Sequence, residues 1–122
     1  MVEASSKRRP PVVSADEAVT LVKSGDRVYI HEVAMTPIEL LEALARRALS
    51  APLDNVETIS LHLEGPAPHV APELAGHIRH NALFVGANVR EAVNDGRADY
   101  TPVFLSEVPA LFASGVVRLD VG

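Results

Sequence analysis

Apolar positions along this chain follow two alternating rhythms. Short runs rich in Val, Leu and Ile stand at 27–31 (R-V-Y-I-H), 56–63 (V-E-T-I-S-L-H-L), 82–85 (A-L-F-V) and 116–121 (V-V-R-L-D-V). Between them apolar residues recur every three or four positions, as in Ala15, Ala18, Val19 and Val22, and again in Leu40, Leu41, Leu44, Ala45 and Ala48. The first rhythm predicts strands and the second helices. End signals agree. Ser14-Ala15-Asp16-Glu17 has the spacing of a capping box, and with Gly25 as its stop it predicts a first helix of about ten residues. Thr36 and Glu39 form a second box with Pro37 at the first helical position, and that helix ends near 50–52. A short helix is expected over 72–80. Asn88, with Glu91 three residues on and Gly96 as the stop, predicts another helix. A strand over 100–105 is confined to an edge or bulge by Pro102, and Ser106 opens a last helix through Phe112 that Gly115 ends.

Strands separated by helices imply right-handed crossovers and a parallel sheet. The fold class predicted is α/β, an open and mostly parallel sheet with helices on both faces. The loops after His31, Leu63 and Val85 then lie at one edge of the sheet, where such proteins place ligands. Free N–H groups and the positive end of a helix dipole face the loop His31-Glu32-Val33-Ala34-Met35, which suits a carboxylate, a phosphate or a developing oxyanion. An ordinary capped helix after an ordinary strand leaves the same signature. The turn at Gly86-Ala87-Asn88 repeats the arrangement, and Gly65, Pro66 and Pro68 make the loop after Leu63 rigid.

Composition narrows the partners. With 122 residues, 48% hydrophobic and 4% aromatic, the chain makes one domain at most, with a core of Val, Leu, Ile and Ala. Its net charge of -5 argues against a nucleic-acid binder, which needs a basic face. There is no cysteine, hence no disulfide, thiol nucleophile or thiolate metal site, which fits the cytoplasm best. No apolar run approaches the roughly 20 residues of a membrane span, and the polar start is unlike a secretory signal. His77 and His80, three apart on a predicted helix, lack the further ligands of a zinc site and read as surface or packing residues; no metal is expected. Residues 1–11 are expected to be a flexible tail and 12–122 the domain. Because Gly122 follows the last predicted strand directly, a partner or a remainder is expected to cover that side of the sheet.

Three stretches together carry a resemblance: S-A-D-E-A-V…K-S-G-D-R-V-Y-I-H…T-P…L-L-E-A-L, then H-L-E-G-P-A-P, then R-H-N-A-L-F-V-G-A-N-V-R-E-A-V-N-D-G-R-A-D-Y-T-P-V-F-L-S-E-V-P. In order and without obvious gaps from 12 to 121, they resemble the acetyl-CoA hydrolase/transferase family, and within it the 4-hydroxybutyrate CoA-transferase group, over about the first quarter of a typical member. The resemblance implies a class I CoA-transferase of two similar open α/β domains with the active site between them. A glutamate there attacks the acyl-CoA thioester, an acyl–glutamyl anhydride forms, CoA thiolate converts it to a glutamyl-CoA thioester, and an acceptor carboxylate completes the exchange. That glutamate belongs to the second domain, so no catalytic residue is assigned to this chain and the chain alone is expected to be inactive. Coenzyme A enters as substrate and no bound cofactor is implied. The partners implied are acyl-CoA, short carboxylates, and a second domain or a second copy of the chain.

Residues carried over by the resemblance line the substrate cavity. His31 matches a strand-end histidine, although a polar strand terminus would look the same. Glu32 departs from the pattern, where a small residue is usual, and its carboxylate would repel an anionic acceptor. Glu64-Gly65-Pro66 matches a cavity loop. Gly86, Asn88 and Arg90 match a G-x-N-x-R run in which glycine permits close approach and arginine pairs with an acid; a helix cap plus an exposed arginine is the alternative. Thr36, at the helix start, completes the substrate-binding set. Acceptance by water would instead make an acetyl-CoA hydrolase, and a non-catalytic module that binds CoA, a carboxylate or a protein stays open as a third reading.

Overall fold

Three strands of matched register set the architecture. In the computed structural model, which describes residues 9–122, β1 (Arg27–Tyr29), β2 (Val56–Ser60), β3 (Ile78–Ala82) and β4 (Asp99–Tyr100) form one sheet in the order β1-β2-β3-β4. All three pairings are parallel, and Val28, Thr58 and His80 lie side by side across it. On the outer side of β1, Val121 adds a parallel bridge to Val28. The helices are α1 (Ala15–Ala18), α2 (Ile38–Ser50), α3 (Ala87–Asn94) and α4 (Val108–Ala113). The fold is α/β with a parallel sheet, as the alternation predicts. Of the tail expected over 1–11, the first eight residues lie outside the described residues.

Alternation along the strands divides the sheet into an apolar and a polar face. Val28, Ile30, Val56 and Ile78 pack with Val19, Val22, Leu41, Leu44, Ala48 and Leu74 in the main core. A smaller cluster joins Ala67, Ala82 and Val89. The opposite face carries the Arg27–Glu57 pair at 2.9 Å and a two-pronged Arg79–Asp99 pair at 2.6 and 2.7 Å. On that face α4 sets Phe112 edge-on to Tyr29, ring centres 5.4 Å apart.

Several boundaries differ from the sequence pattern for identifiable reasons. The Ser14 capping box forms, but α1 passes into a 3₁₀ turn (Val19–Leu21), so the helix is shorter than ten residues. Arg47 of α2 closes that end by donating to the carbonyls of Val19 and Val22. No helix spans 72–80. Two proline-led 3₁₀ turns (Pro68–Val70, Pro72–Leu74) and Gly76 at φ +85° precede β3, whose residues alternate buried and exposed. The strand therefore lies upstream of the expected 82–85, and Leu83 ends its ladder by donating to Ser60. The strands expected at 27–31, 56–63 and 100–105 are shorter, and 116–121 contributes only the Val121 bridge. The last helix begins as a 3₁₀ turn (Leu105–Glu107) rather than as a Ser106-capped helix.

Between the two apolar clusters runs a buried polar seam. Thr58 Oγ1 lies 2.8 Å from His80 Nδ1, His69 Nε2 lies 3.3 Å from the same nitrogen, and Ser60 Oγ is 3.5 Å from His80 Nε2. His77 is half-buried on Leu53, whereas His80 is fully inside the seam and not on a shared helix face with it. Burial drives the His69 pKa down to about 3, with the neighbouring His80 adding to the effect, and burial alone drives His80 down to about 4. Both rings are neutral in the folded chain. Their folded pKa values lie below the ordinary 6.5, so the stability they hold is complete above 6.5 and is lost as the pH falls toward 4. Urea unfolding from pH 7.5 to 4 is expected to show that loss at about 1.4 kcal/mol per pH unit for each histidine, and a slope roughly halved in His69→Leu; a profile flat down to pH 4 would contradict the buried pair.

Candidate functional site at the carboxyl edge of the sheet

Because β1, β2 and β3 run in one direction, the loops that follow them emerge at the same edge, and they are stitched together. Val33 of the first loop donates its N–H to the His62 carbonyl at 2.8 Å and bridges Leu63 of the second. To do so it takes φ +53°, a left-handed conformation unfavourable for a β-branched residue. Thr36 does not cap α2. Its hydroxyl donates to the Val33 carbonyl at 2.7 Å and accepts the Glu64 N–H at 3.1 Å, while Pro37 occupies the cap position. Gly65 is required by its φ of +86°, and a Cβ there would also press on the end of the Ile38 side chain, 3.0 Å from Cδ1.

The third loop closes the cluster through α3. Asn88 lies inside the helix, which Gly86 caps, and its amide donates to the carbonyls of Leu63 at 2.9 Å and Gly65 at 3.0 Å. The predicted cap thus serves as a tertiary clamp. Thr36, Glu64, Gly65, Gly86 and Asn88 are brought together; Pro66 is exposed on the same loop, and Arg90 is exposed in the first turns of α3.

His31 and Glu32 belong to a different flank. His31 is exposed and stands edge-on to Tyr29 at 5.8 Å. Glu32 is half-buried, and its carboxylate accepts a hydrogen bond from the Tyr29 hydroxyl. Burial, and then that bond, hold the Tyr29 pKa above its ordinary value. The carboxylate expected to repel an acceptor is therefore engaged by a phenol. His31 and Met35 border a groove of about 410 Å³ walled by Val19, Val22, Leu40 and Leu44, which Val121 also lines. Sequence reasoning passed over two residues: Tyr29, the partner of Glu32, and His62, whose ring lies 3.4 Å from Glu64. The only available signal for His62 was its place two residues before Glu64 at a strand end.

Fold and loop cluster together define an open α/β domain with three strand-end loops joined at one edge. The chain belongs to the acetyl-CoA hydrolase/transferase family: the model of that family's N-terminal domain matches residues 4–122. A succinyl-CoA:acetate/propanoyl-CoA:succinate CoA transferase from Fasciola hepatica is 43% identical over 107 residues, 88% of this chain and 22% of the relative. A 4-hydroxybutyrate coenzyme A transferase from Clostridium kluyveri is 37% identical over 113 residues, 90% of this chain and 25% of the relative. Among solved structures, a 4-hydroxybutyrate CoA-transferase from Porphyromonas gingivalis superposes with a TM-score of 0.65 at 29% identity, over 88% of this chain and 22% of the other. RipA from Yersinia pestis, at 24% identity, shares the fold, with a TM-score of 0.71 over 85% of this chain and 26% of that one. The chain spans a quarter or less of the length of these curated relatives. Among the described residues no helix is long and apolar enough to cross a membrane.

The Asn88 clamp yields a direct test. Asn88→Ala is expected to lower unfolding free energy by about 1–2 kcal/mol and to accelerate amide exchange at Glu64, whose N–H donates to Thr36; unchanged exchange there would contradict the clamp.

Proposed function

We propose that this chain is the N-terminal domain of an acyl-CoA:carboxylate CoA-transferase of the 4-hydroxybutyrate/acetyl-CoA type. The observation that carries the proposal is the convergence of the three strand-end loops of this family's domain on one sheet edge, beside the starts of α2 and α3. Coenzyme A is a substrate. Acyl-CoA and a short carboxylate meet the edge, and a second domain or a second copy of the chain supplies the facing wall, in the cytoplasm.

The exchange runs through a glutamate outside these 122 residues. Its carboxylate oxygen attacks the thioester carbonyl carbon, the C–S bond breaks, and CoA leaves as thiolate. The thiolate attacks the glutamyl carbonyl of the anhydride and expels the first carboxylate, leaving a glutamyl-CoA thioester. The acceptor carboxylate then attacks that thioester and the same steps run in reverse. Each addition places negative charge on a carbonyl oxygen. N–H groups at the start of α2 or α3, held in place by Thr36 and Asn88, are suited to receive it. His31 and Arg90 are the groups available to an anionic acceptor, and the Glu64-Gly65-Pro66 loop lines the cavity. Glu32, tied to Tyr29, shapes the flank.

Purified as 122 residues, the chain is expected to transfer no CoA between acetyl-CoA and 4-hydroxybutyrate or other short carboxylates, since losing one member of a catalytic unit costs several orders of magnitude. Turnover should return when the family's second domain is added in trans. Acyl release to water without an acceptor would identify a hydrolase instead. Robust transfer by the chain alone, abolished by Glu32→Gln or Glu64→Gln, would overturn the assignment.

A further inference from the structure

His62 is held from several sides where the three loops meet, and none of the roles above uses it. Its carbonyl accepts from Val33 at 2.8 Å. Its ring stands edge-on to Phe84, centroids 5.3 Å apart at 75°. The ring also lies so close over Gly86 that a Cβ there would be 3.1 Å from both Cε1 and Nδ1. Gly86 has an ordinary extended φ, so what this position requires is the absence of a side chain and not a special backbone angle.

The two ring nitrogens meet opposite surroundings. Nδ1 is buried and has no hydrogen-bond partner, whereas Nε2 faces Glu64 Oε1 at 3.4 Å on a side chain that is 34% exposed. A buried N–H without an acceptor is costly, while a bare ring nitrogen forfeits only a weaker accepting interaction. In its neutral form the ring therefore carries its proton on Nε2, facing outward. Packing against Phe84 and Gly86 fixes the direction of that N–H. Glu64 beside it, itself 58% exposed, places a negative charge next to that N–H without forming a hydrogen bond to it.

We infer that His62 is a substrate-positioning residue whose Nε2–H donates to a neutral carbonyl oxygen of the acyl-CoA. Glu64 disfavours a carboxylate at the same spot, because two like charges would stand beside one donor. The inference rests on the transferase reading and adds a subsite to it. Thioester and pantetheine amide carbonyls share the required chemistry, and titrations separate them.

The first experiment follows the histidine ring nitrogens of the ¹⁵N-labelled full-length protein by NMR. Expected are a bare Nδ1, a protonated Nε2 and a shift of the His62 signals with acetyl-CoA. An equal shift with CoA assigns the amide carbonyl, and a shift with acetyl-CoA alone assigns the thioester. An Nδ1-protonated ring, no response to either CoA species, or a response to acetate at equal concentration would overturn the inference. The second experiment measures the kinetics of the full-length protein. In His62→Asn, which lacks a donor at the Nε2 position, and in Gly86→Ala, which pushes the ring aside, KM for acyl-CoA should rise roughly tenfold or more with KM for the carboxylate unchanged. His62→Gln, which keeps a donor at that reach, should stay within about threefold. A rise in the carboxylate KM instead, or equal effects in His62→Asn and His62→Gln with unchanged melting temperatures, would contradict the role. Absence of CoA transfer in the wild type would refute the transferase reading, and the titration would still decide whether His62 meets a carbonyl.

Discussion

The site depends on the parallel register that sets Val28, Thr58 and His80 side by side. Parallel pairing brings three strand ends to one edge without any further instruction. Burial protects the register: Val56, Thr58 and Ser60 face inward and Glu57 faces out. A slip of one residue would drive Glu57 into the core and turn Val56 to the polar face. Once the edge exists, a few contacts convert three separate loops into one surface. Thr36 joins the first to the second, Asn88 joins the second to the third, and Val33 accepts a strained backbone to complete the seam.

Beneath that surface the neutral histidine seam provides a second layer of order. His69 lies in the 3₁₀ turn that follows Pro66 and Ala67, and its contact with His80 ties the far end of the Glu64 loop to β3. Hydrogen bonds among Thr58, Ser60 and the two rings pair most of the seam's polar atoms, and His69 Nδ1 is left as a bare buried nitrogen. The loop that lines the edge is thus held from above by Asn88 and from below by His69. The proposed transfer would draw on such rigidity, because binding interactions raise the rate only when they are already in place as charge develops.

The sequence pattern carried the large-scale facts and misplaced several local ones. Apolar periodicity predicted strand–helix alternation, the parallel sheet and the common edge, because those follow from which residues must be buried. The capping box at Ser14 was legible because both of its partners are local. Thr36 and Asn88 were misread for the opposite reason: a hydroxyl or an amide able to cap its own helix can equally satisfy a carbonyl or N–H distant in sequence, and the tertiary contacts with residues 63–65 won. The stretch 72–80 has apolar spacing that suits a helix, yet prolines and Gly76 interrupt it and leave Ile78, His80 and Ala82 to alternate as a strand. The likeness to the family named candidates on the three loops that meet at this edge. It did not foresee that Glu32 would turn back onto Tyr29, because that bond joins a loop to the polar face of the strand before it.

On the proposed reading this edge is one half of a site whose nucleophile lies elsewhere. Mass spectrometry of the full-length protein incubated with acetyl-CoA tests it most directly, by locating the peptide that gains CoA with loss of water. The adduct is expected on a glutamate outside residues 1–122, with the peptides of this chain unmodified. A CoA adduct on Glu32, Glu64 or any other carboxylate of this chain would contradict it.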